Sequence, residues 1–416
     1  MSKEKKNPVE ENIEKVAEFQ EKVTEQVAQF QEKVTEQVAQ FQEQAVEFQQ
    51  KVMETAANAM KNFDPQKFTD EVFTMQDNML KGMDVLLNIK PEDVASDTLE
   101  KDVVLSIGKM RLFHYKPLVA ARKRVKTPMM ITYALVNRQY MMDLQPDRSL
   151  IKSFLEAGLD VYIVDWGYPT GEDMYMTLDD HINWYMDDAV DYIRKESGKD
   201  AITLLGVCQG ATFSTIYTAM HPEKVKNLVA MVVPIDFSGN EGLLFRWSKF
   251  MNIDAIVDAY DGLIPADTMN FSYLLLKPLG NMVQKYVGMV DKWADPDFTK
   301  NFLRMEKWVF DSPAQIGATL SQFVKDLYQD NKLMKGTLEL GGKVADLKNI
   351  SQPVLVAVAE KDHIVPPSSS RPLIDAISST DKQYMSFNTG HIGMYTSSKS
   401  QKDIVPSIVE WIKSRS

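Results

Sequence analysis

The sequence predicts an α/β fold: a mostly parallel sheet with helices on both faces, a long amphipathic helix ahead of it, and a helical cap inserted into it. Three observations predict this. Short apolar runs alternate with helical patterns between residues 99 and 416, as strands buried on both faces do. That rhythm stops from Phe237 to about Val344, where Trp247, Trp293, Trp308 and many Met and Phe sit in helical patterns. Finally, EKVTEQVAQFQ occurs twice in succession, from Glu21 and from Glu32.

The repeat comes first in the chain. No Gly or Pro interrupts Val9 to Asp64, and apolar residues recur every three or four positions from Ile13 through Phe30 and Phe41 to Val52. An eleven-residue period gives about 3.67 residues per turn and keeps one stripe on a nearly straight helix. Roughly 50 residues would span about 75 Å at 1.5 Å per residue. One stripe cannot bury itself, so it must meet another copy, a partner helix or an apolar surface. A coiled-coil oligomeriser is the plainer reading, and a lipid- or polymer-surface binder is the other. The polar face is rich in Glu and Gln rather than Lys, which disfavours anionic membranes.

Asp64-Pro65 reads as an N-cap followed by an N1 proline. The helix it starts carries a stripe from Phe68 to Leu86 and ends before Pro91. Strands are expected at Val103–Ile107, Met110–Tyr115, Met129–Val136, Asp160–Val164, Ala201–Leu205, Leu228–Val233, Val354–Ala359 and Gln383–Phe387. Helices are expected at Leu150–Ala157, Leu178–Glu196 and Ala211–Met220. The first two strands, joined near Gly108, read as an antiparallel edge hairpin. The organisation is therefore a repeat helix over 1–64, a second helix and linker over 65–98, a core over 99–236 and 345–416, and a cap over 237–344. An insertion between strands at their C-terminal ends lies where α/β active sites form.

Composition excludes several classes. The net charge of −11 argues against nucleic acid, which selects a basic face. One Cys and five His leave no internal disulfide and no zinc-type cluster beyond a weak His/carboxylate site, so a reducing compartment is expected. No metal and no cofactor are expected. The polar start MSKEKKNPVEEN has no apolar signal-peptide core, and the apolar runs are shorter than the roughly 18 residues of a membrane span. A cytoplasmic protein is expected.

The single cysteine sits in Gly206-Val207-Cys208-Gln209-Gly210, directly after one expected strand and before an expected helix. That is the context of a G-x-S-x-G nucleophile elbow with Cys in place of Ser. A helix N-terminus aimed at the sulfur favours the thiolate. The alternative is a buried structural cysteine, the commoner fate of the residue. Two partners favour the elbow. Asp362 and His391 each follow a later strand, in the nucleophile–acid–base order of α/β-hydrolase folds. Glu360, Asp165 and His363 compete, but Glu360 is close to the strand, Asp165 precedes the nucleophile, and His363 is expected to point away from the partner of Asp362. His114, His181 and His221 read as structural or surface residues. An oxyanion hole would take the backbone N–H of Gln209 and one from the loop after the third strand, Val136 or else Asn137. Arg122-Lys123-Arg124 with Lys126 reads as a solvated run or, less simply, as a phosphate contact.

Taken with YALVNRQYMMDLQPDRSL, GLDVYIVDWGYP, HPEKVKNLVAMVVPIDF, AEKDHIVPP and TGHIGMY, the cysteine box resembles that of polyhydroxyalkanoate synthase catalytic subunits, class III first and class IV next. The matching stretches fall over roughly residues 100–415; the repeat helix is outside them. The resemblance implies an α/β-hydrolase core under a helical cap, polymerising (R)-3-hydroxyacyl-CoA with release of CoA. It implies that Cys208 holds the acyl chain as a thioester, His391 deprotonates the thiol, and Asp362 helps to activate the incoming 3-hydroxyl. With one Cys per chain, a two-thiol scheme would need two subunits. The resemblance further implies a growing polyester chain and granule surface as partners, a second synthase subunit and a homo-oligomer. A Cys-dependent thioesterase or polyester hydrolase on the same fold is the alternative. One departure stands out: Ala211 replaces a second glycine usual in the family box.

Overall fold

A computed structural model describes residues 65–277, 284–290 and 292–416; the expected repeat helix over 1–64 lies outside the described residues. The chain divides into two compact units, Met1–Asp77 and Asn78–Ser416, and the sheet belongs to the second. Helix α1, Pro65–Asn88, begins at the proline the sequence singled out. It stops before Lys90, which Pro91 holds extended at φ −99° and ψ 157°.

Eight strands form the main sheet: β1 Lys101–Ile107, β2 Met110–Tyr115, β3 Pro128–Thr132, β4 Asp160–Asp165, β5 Ile202–Val207, β6 Val225–Met231, β7 Val354–Ala359 and β8 Lys382–Phe387. Their order is β1-β2-β4-β3-β5-β6-β7-β8. The β1–β2 hairpin and the β2–β4 pair are antiparallel, and every other pairing is parallel. This is a mostly parallel α/β sheet, as expected. Successive side chains enter opposite layers: Met129 and Ile131 join one buried cluster and Met130 the other, as period-two alternation requires.

Two strands end earlier than the sequence expectation. The third strand ends at Thr132, not Val136. Beyond it, Tyr133 O accepts from Trp166 Nε1 at 2.9 Å and Leu135 N donates to Gln209 Oε1 at 3.0 Å. Side chains satisfy the backbone there, so the chain can leave the sheet without orphaning polar groups. The sixth strand ends at Met231 because Val232 turns to a φ of 44°, an outlier for a β-branched residue.

Helix α2, Leu150–Glu156, is capped by Ser149 Oγ on Lys152 N. Helix α3, Asp187–Ser197, ends on Gly198 at φ 65°. Helix α4, Gln209–Met220, is buried on every side through Ala219, which is why its apolar pattern has no stripe. Between β6 and β7 the described residues are mainly helical, including α5, Pro296–Phe310. Two pairs of two-residue strands also occur there, Leu263–Ile264 with Gln315–Ile316 and Glu339–Leu340 with Lys343–Val344; they are too short to leave a period in the sequence. Phe213 of α4 meets Phe323 at 6.1 Å between centroids, and Phe237 meets Phe323 and Tyr328 at 6.2 and 4.6 Å. Such pairs add about 0.5–1.5 kcal/mol each beyond area burial, and they join the insertion to the core. Helix α6, Val405–Lys413, closes the chain. Among the described residues no helix is long and apolar enough to cross a membrane.

Candidate active site

Cys208 sits between β5 and α4 with φ 55° and ψ −124°. A non-glycine residue there is strained by about 1–3 kcal/mol, and the surroundings hold it in place. Cys208 N donates to Met231 O at 2.9 Å, and Cys208 O accepts from Ala211 N at 2.9 Å. The flanking glycines are required by contact. A Cβ on Gly206 would lie 2.3 Å from Ala211 Cα, and one on Gly210 would lie 2.2 Å from Thr132 O. Ala211 itself is fully buried, and the absence of a side chain on Gly206 leaves room for its backbone.

The acid and base loops are aligned by backbone pairing that continues beyond the strands: Glu360 N donates to Phe387 O at 2.9 Å and Lys361 N to Thr389 O at 3.0 Å. This places His391 Nδ1 2.6 Å from Asp362 Oδ2. The other carboxylate oxygen, Oδ1, accepts from Ile364 N and Val365 N, each at 2.9 Å. The Asp362 side chain has no exposure and that of His391 has 7%. Burial pushes the imidazole down. The Asp362 carboxylate, with charge and hydrogen bonding from Cys208, more than offsets this and raises it to about 10. The three residues named from the sequence therefore converge, with the imidazole between carboxylate and sulfur.

Cys208 and His391 line a cavity of about 250 Å³, together with Val136, Asn137, Tyr273 and Trp308. Val136 and Asn137, the candidates from the β3 loop, thus line the same cavity as Cys208. Gln209 opens α4, so its N–H is among those a helix leaves without an internal acceptor. Its side chain turns instead to Leu135 N and to a smaller hollow of about 30 Å³ beside Trp166.

Residues 136–398 match the α/β-hydrolase fold family. Over 351 residues the chain is 47% identical to the poly(3-hydroxyalkanoate) polymerase subunit PhaC of Allochromatium vinosum, covering 84% of this chain and 98% of that one. The PhaC subunit of Synechocystis is 44% identical, with 83% of this chain and 92% of that one covered. That of Haloarcula marismortui is 38% identical, with 89% and 76% covered. The chain belongs to the poly(3-hydroxyalkanoate) polymerase family.

Several residues of this polymerase-family site were not legible in the sequence. His363 also lines the Cys208 cavity. Burial, Lys277 and His391 all push its imidazole down, which keeps it neutral. Arg138 anchors the β3 loop: Nη2 meets Asp165 Oδ2 at 2.9 Å, Nη1 donates to Gly167 O at 3.0 Å, and the guanidinium lies 4.1 Å from the Tyr168 ring centre. Residues between β6 and β7 hold the same loop. Trp308 Nε1 donates to Arg138 O at 2.8 Å, Gln315 Nε2 to Leu135 O at 3.0 Å, and Asn137 Nδ2 to Ser312 Oγ at 2.7 Å. The phenols of Tyr133 and Tyr273 are pushed up, first by burial and then by the Cys208 charge, so they remain protonated beside the sulfur. The Arg122–Lys126 run and His114 stand apart from this cavity. His114 instead bonds Asp160 at 2.7 Å and stacks on Tyr162.

Proposed function

We propose that this chain polymerises (R)-3-hydroxyacyl-CoA, foremost 3-hydroxybutyryl-CoA, into polyhydroxyalkanoate with release of CoA. We assign the chemistry to Cys208, His391 and Asp362. The observation that carries the assignment is the buried Asp362–His391 hydrogen bond, with the imidazole between its carboxylate and the chain's single thiol. Family membership supports the reaction type.

His391 takes the Cys208 proton, and the thiolate attacks the thioester carbonyl. The backbone N–H groups of Gln209 and Val136 receive the charge that develops on oxygen. CoA leaves as the thiol, taking the proton back from His391, and the acyl group remains on Cys208. The 3-hydroxyl of the next monomer then passes its proton to His391 and attacks the acyl-Cys208 thioester, expelling the thiolate. That thiolate attacks the CoA thioester of the lengthened product, and CoA again leaves with the proton from His391. One thiol is enough for this cycle, and one thiol is what the chain has. The Asp362 side chain has no exposed surface and both oxygens engaged, which supports a role through His391 rather than direct contact with the hydroxyl. The exchange of a thioester onto a thiol is nearly isoenergetic, and a largely apolar cavity favours transfer to an alcohol over hydrolysis.

We also assign partners to the chain. The relatives are named as subunits, which supports a second synthase subunit. The repeat over 1–64 offers a stripe for that subunit, for a second copy or for the granule surface.

The test is CoA release from 3-hydroxybutyryl-CoA with product analysis. We expect polymer, and neither CoA release nor polymer in Cys208→Ala. Free 3-hydroxybutyrate without polymer would point to a hydrolase instead, and full activity in Cys208→Ala would remove the assignment.

A further inference from the structure

Asn270 lies on the nine-residue helix Ala266–Leu274. Tyr273 and Leu274 of that helix line the Cys208 cavity with it, as positions i, i+3 and i+4 on one face do. Asn270 is 8% exposed, and its Nδ2 is buried with no hydrogen-bond partner among the described residues. The other end of the amide is held. Ser312 Oγ donates to Asn270 Oδ1 at 2.9 Å and accepts from Asn137 Nδ2 at 2.7 Å. Asn137 belongs to the loop that carries Val136 and lines the same cavity. A hydroxyl has one proton to give; of the two acceptors within reach of Ser312 Oγ, Asn270 Oδ1 at 2.9 Å is nearer than Val309 O at 3.1 Å, which leaves Nδ2 as the free end.

A buried, oriented and unpaired N–H beside a reactive thiol is a group waiting for an acceptor. The cavity is otherwise lined mainly by apolar and aromatic side chains. In the reaction assigned to it, an acceptor oxygen enters with every monomer, the carbonyl of the acyl thioester. The 3-hydroxyl suits a donor less well, because it must itself give up a proton.

We propose that the Asn270 carboxamide is a substrate-binding group of the polymerase site, donating from Nδ2 to the carbonyl oxygen of the bound acyl thioester. Ser312 and Asn137 tie it to the β3 loop, so the donor and the loop take up one acyl carbonyl together. This rests on the polymerase reading of the cavity and adds a residue that it does not include.

The experiment measures single-turnover acylation of Cys208, as CoA release at subsaturating 3-hydroxybutyryl-CoA and at subsaturating butyryl-CoA, which keeps the carbonyl and lacks the hydroxyl. The chains compared are the parent, Asn270→Asp, which keeps an acceptor for Ser312 and loses the donor, and Asn270→Leu. Iodoacetamide labelling of Cys208 reports the elbow and its His391 partner without any acyl carbonyl. We expect labelling at the parental rate in both variants and acylation slowed about tenfold or more with both thioesters, the scale of losing one well-placed hydrogen bond. Acylation within twofold of the parent in both variants overturns the proposal. Slowing with 3-hydroxybutyryl-CoA alone also overturns it, because the hydroxyl would then be what Asn270 reads. A parent chain that releases no CoA from either thioester sinks the polymerase reading itself, a result distinct from either.

Discussion

Replacing Asp362 with Asn removes one charge and almost no volume, and the structure sets what should follow. The raised pKa of His391, about 10 against an ordinary 6.5, corresponds to roughly 3–5 kcal/mol in favour of the imidazolium at 1.36 kcal/mol per unit. Asp362 is the first contributor after burial. The amide oxygen of Asn could still accept from Ile364 N and Val365 N, but its NH₂ would then face His391 Nδ1. The imidazole would respond by accepting at Nδ1 and carrying its proton at Nε2, the wrong tautomer for taking a proton from sulfur. In a serine-type triad the same swap lowers kcat by about 10⁴, and we expect kcat/KM for CoA release to fall by about 10³–10⁴ here. The pH dependence carries a sign. A folded-state pKa above the unfolded value contributes stability fully present below about pH 6.5 and lost as pH rises through about 10. The stability difference between parent and Asp362→Asn should therefore be largest near pH 6 and shrink toward pH 10. Stopped-flow CoA release gives the rate, and urea unfolding across pH gives the stability. A variant within tenfold of the parent, or a stability gap that widens with pH, would refute the reasoning.

Three further outcomes follow. Arg138→Met should cost about 3–5 kcal/mol in urea unfolding, the scale for removing one partner of a buried ion pair, because Asp165 has only 7% side-chain exposure; a loss below 1 kcal/mol would contradict it. Gly210→Ala should destabilise by about 1–3 kcal/mol or more, since the new Cβ would meet two backbone oxygens at 2.2 and 2.6 Å. Gly239→Ala, with nothing within 4 Å of its Cβ, should stay within about 0.5 kcal/mol; equal effects at the two sites would refute the packing argument. Deleting residues 1–62 should leave iodoacetamide labelling of Cys208 unchanged while lowering polymer yield, because Cys208, Asp362 and His391 all lie within Asn78–Ser416; a collapse of labelling would contradict that.

Much of the fold was legible because its signals are local. The β5 and β7 strands are short apolar runs, and Cys208, Asp362 and His391 each lie within four residues of a strand end, so order along the chain was enough to link them. The elbow glycines were legible because a tight turn restricts residue type. The end of β3 was not. Met129 to Val136 is one apolar run, and it leaves the sheet only because Gln209 and Trp166 bond its backbone. Asn270 and Ser312 gave no signal either. They are separated from Cys208 by 62 and 104 positions in the sequence, in a segment without strand rhythm, and an Asn on a helix or a Ser just past one reads as surface. That His363 also lines the cavity depends on the fold of the 362–365 turn, which residue spacing does not encode.

The account stands most directly on where the acyl group resides. Intact-mass and peptide mass spectrometry of the parent chain, quenched in acid shortly after mixing with 3-hydroxybutyryl-CoA, would locate it. The account predicts 3-hydroxybutyryl units as a thioester on the peptide bearing Cys208, singly and as short oligomers, absent in Cys208→Ser and removed by hydroxylamine. Acyl groups on another residue, or CoA released at the parental rate with Cys208 unmodified throughout turnover, would contradict it.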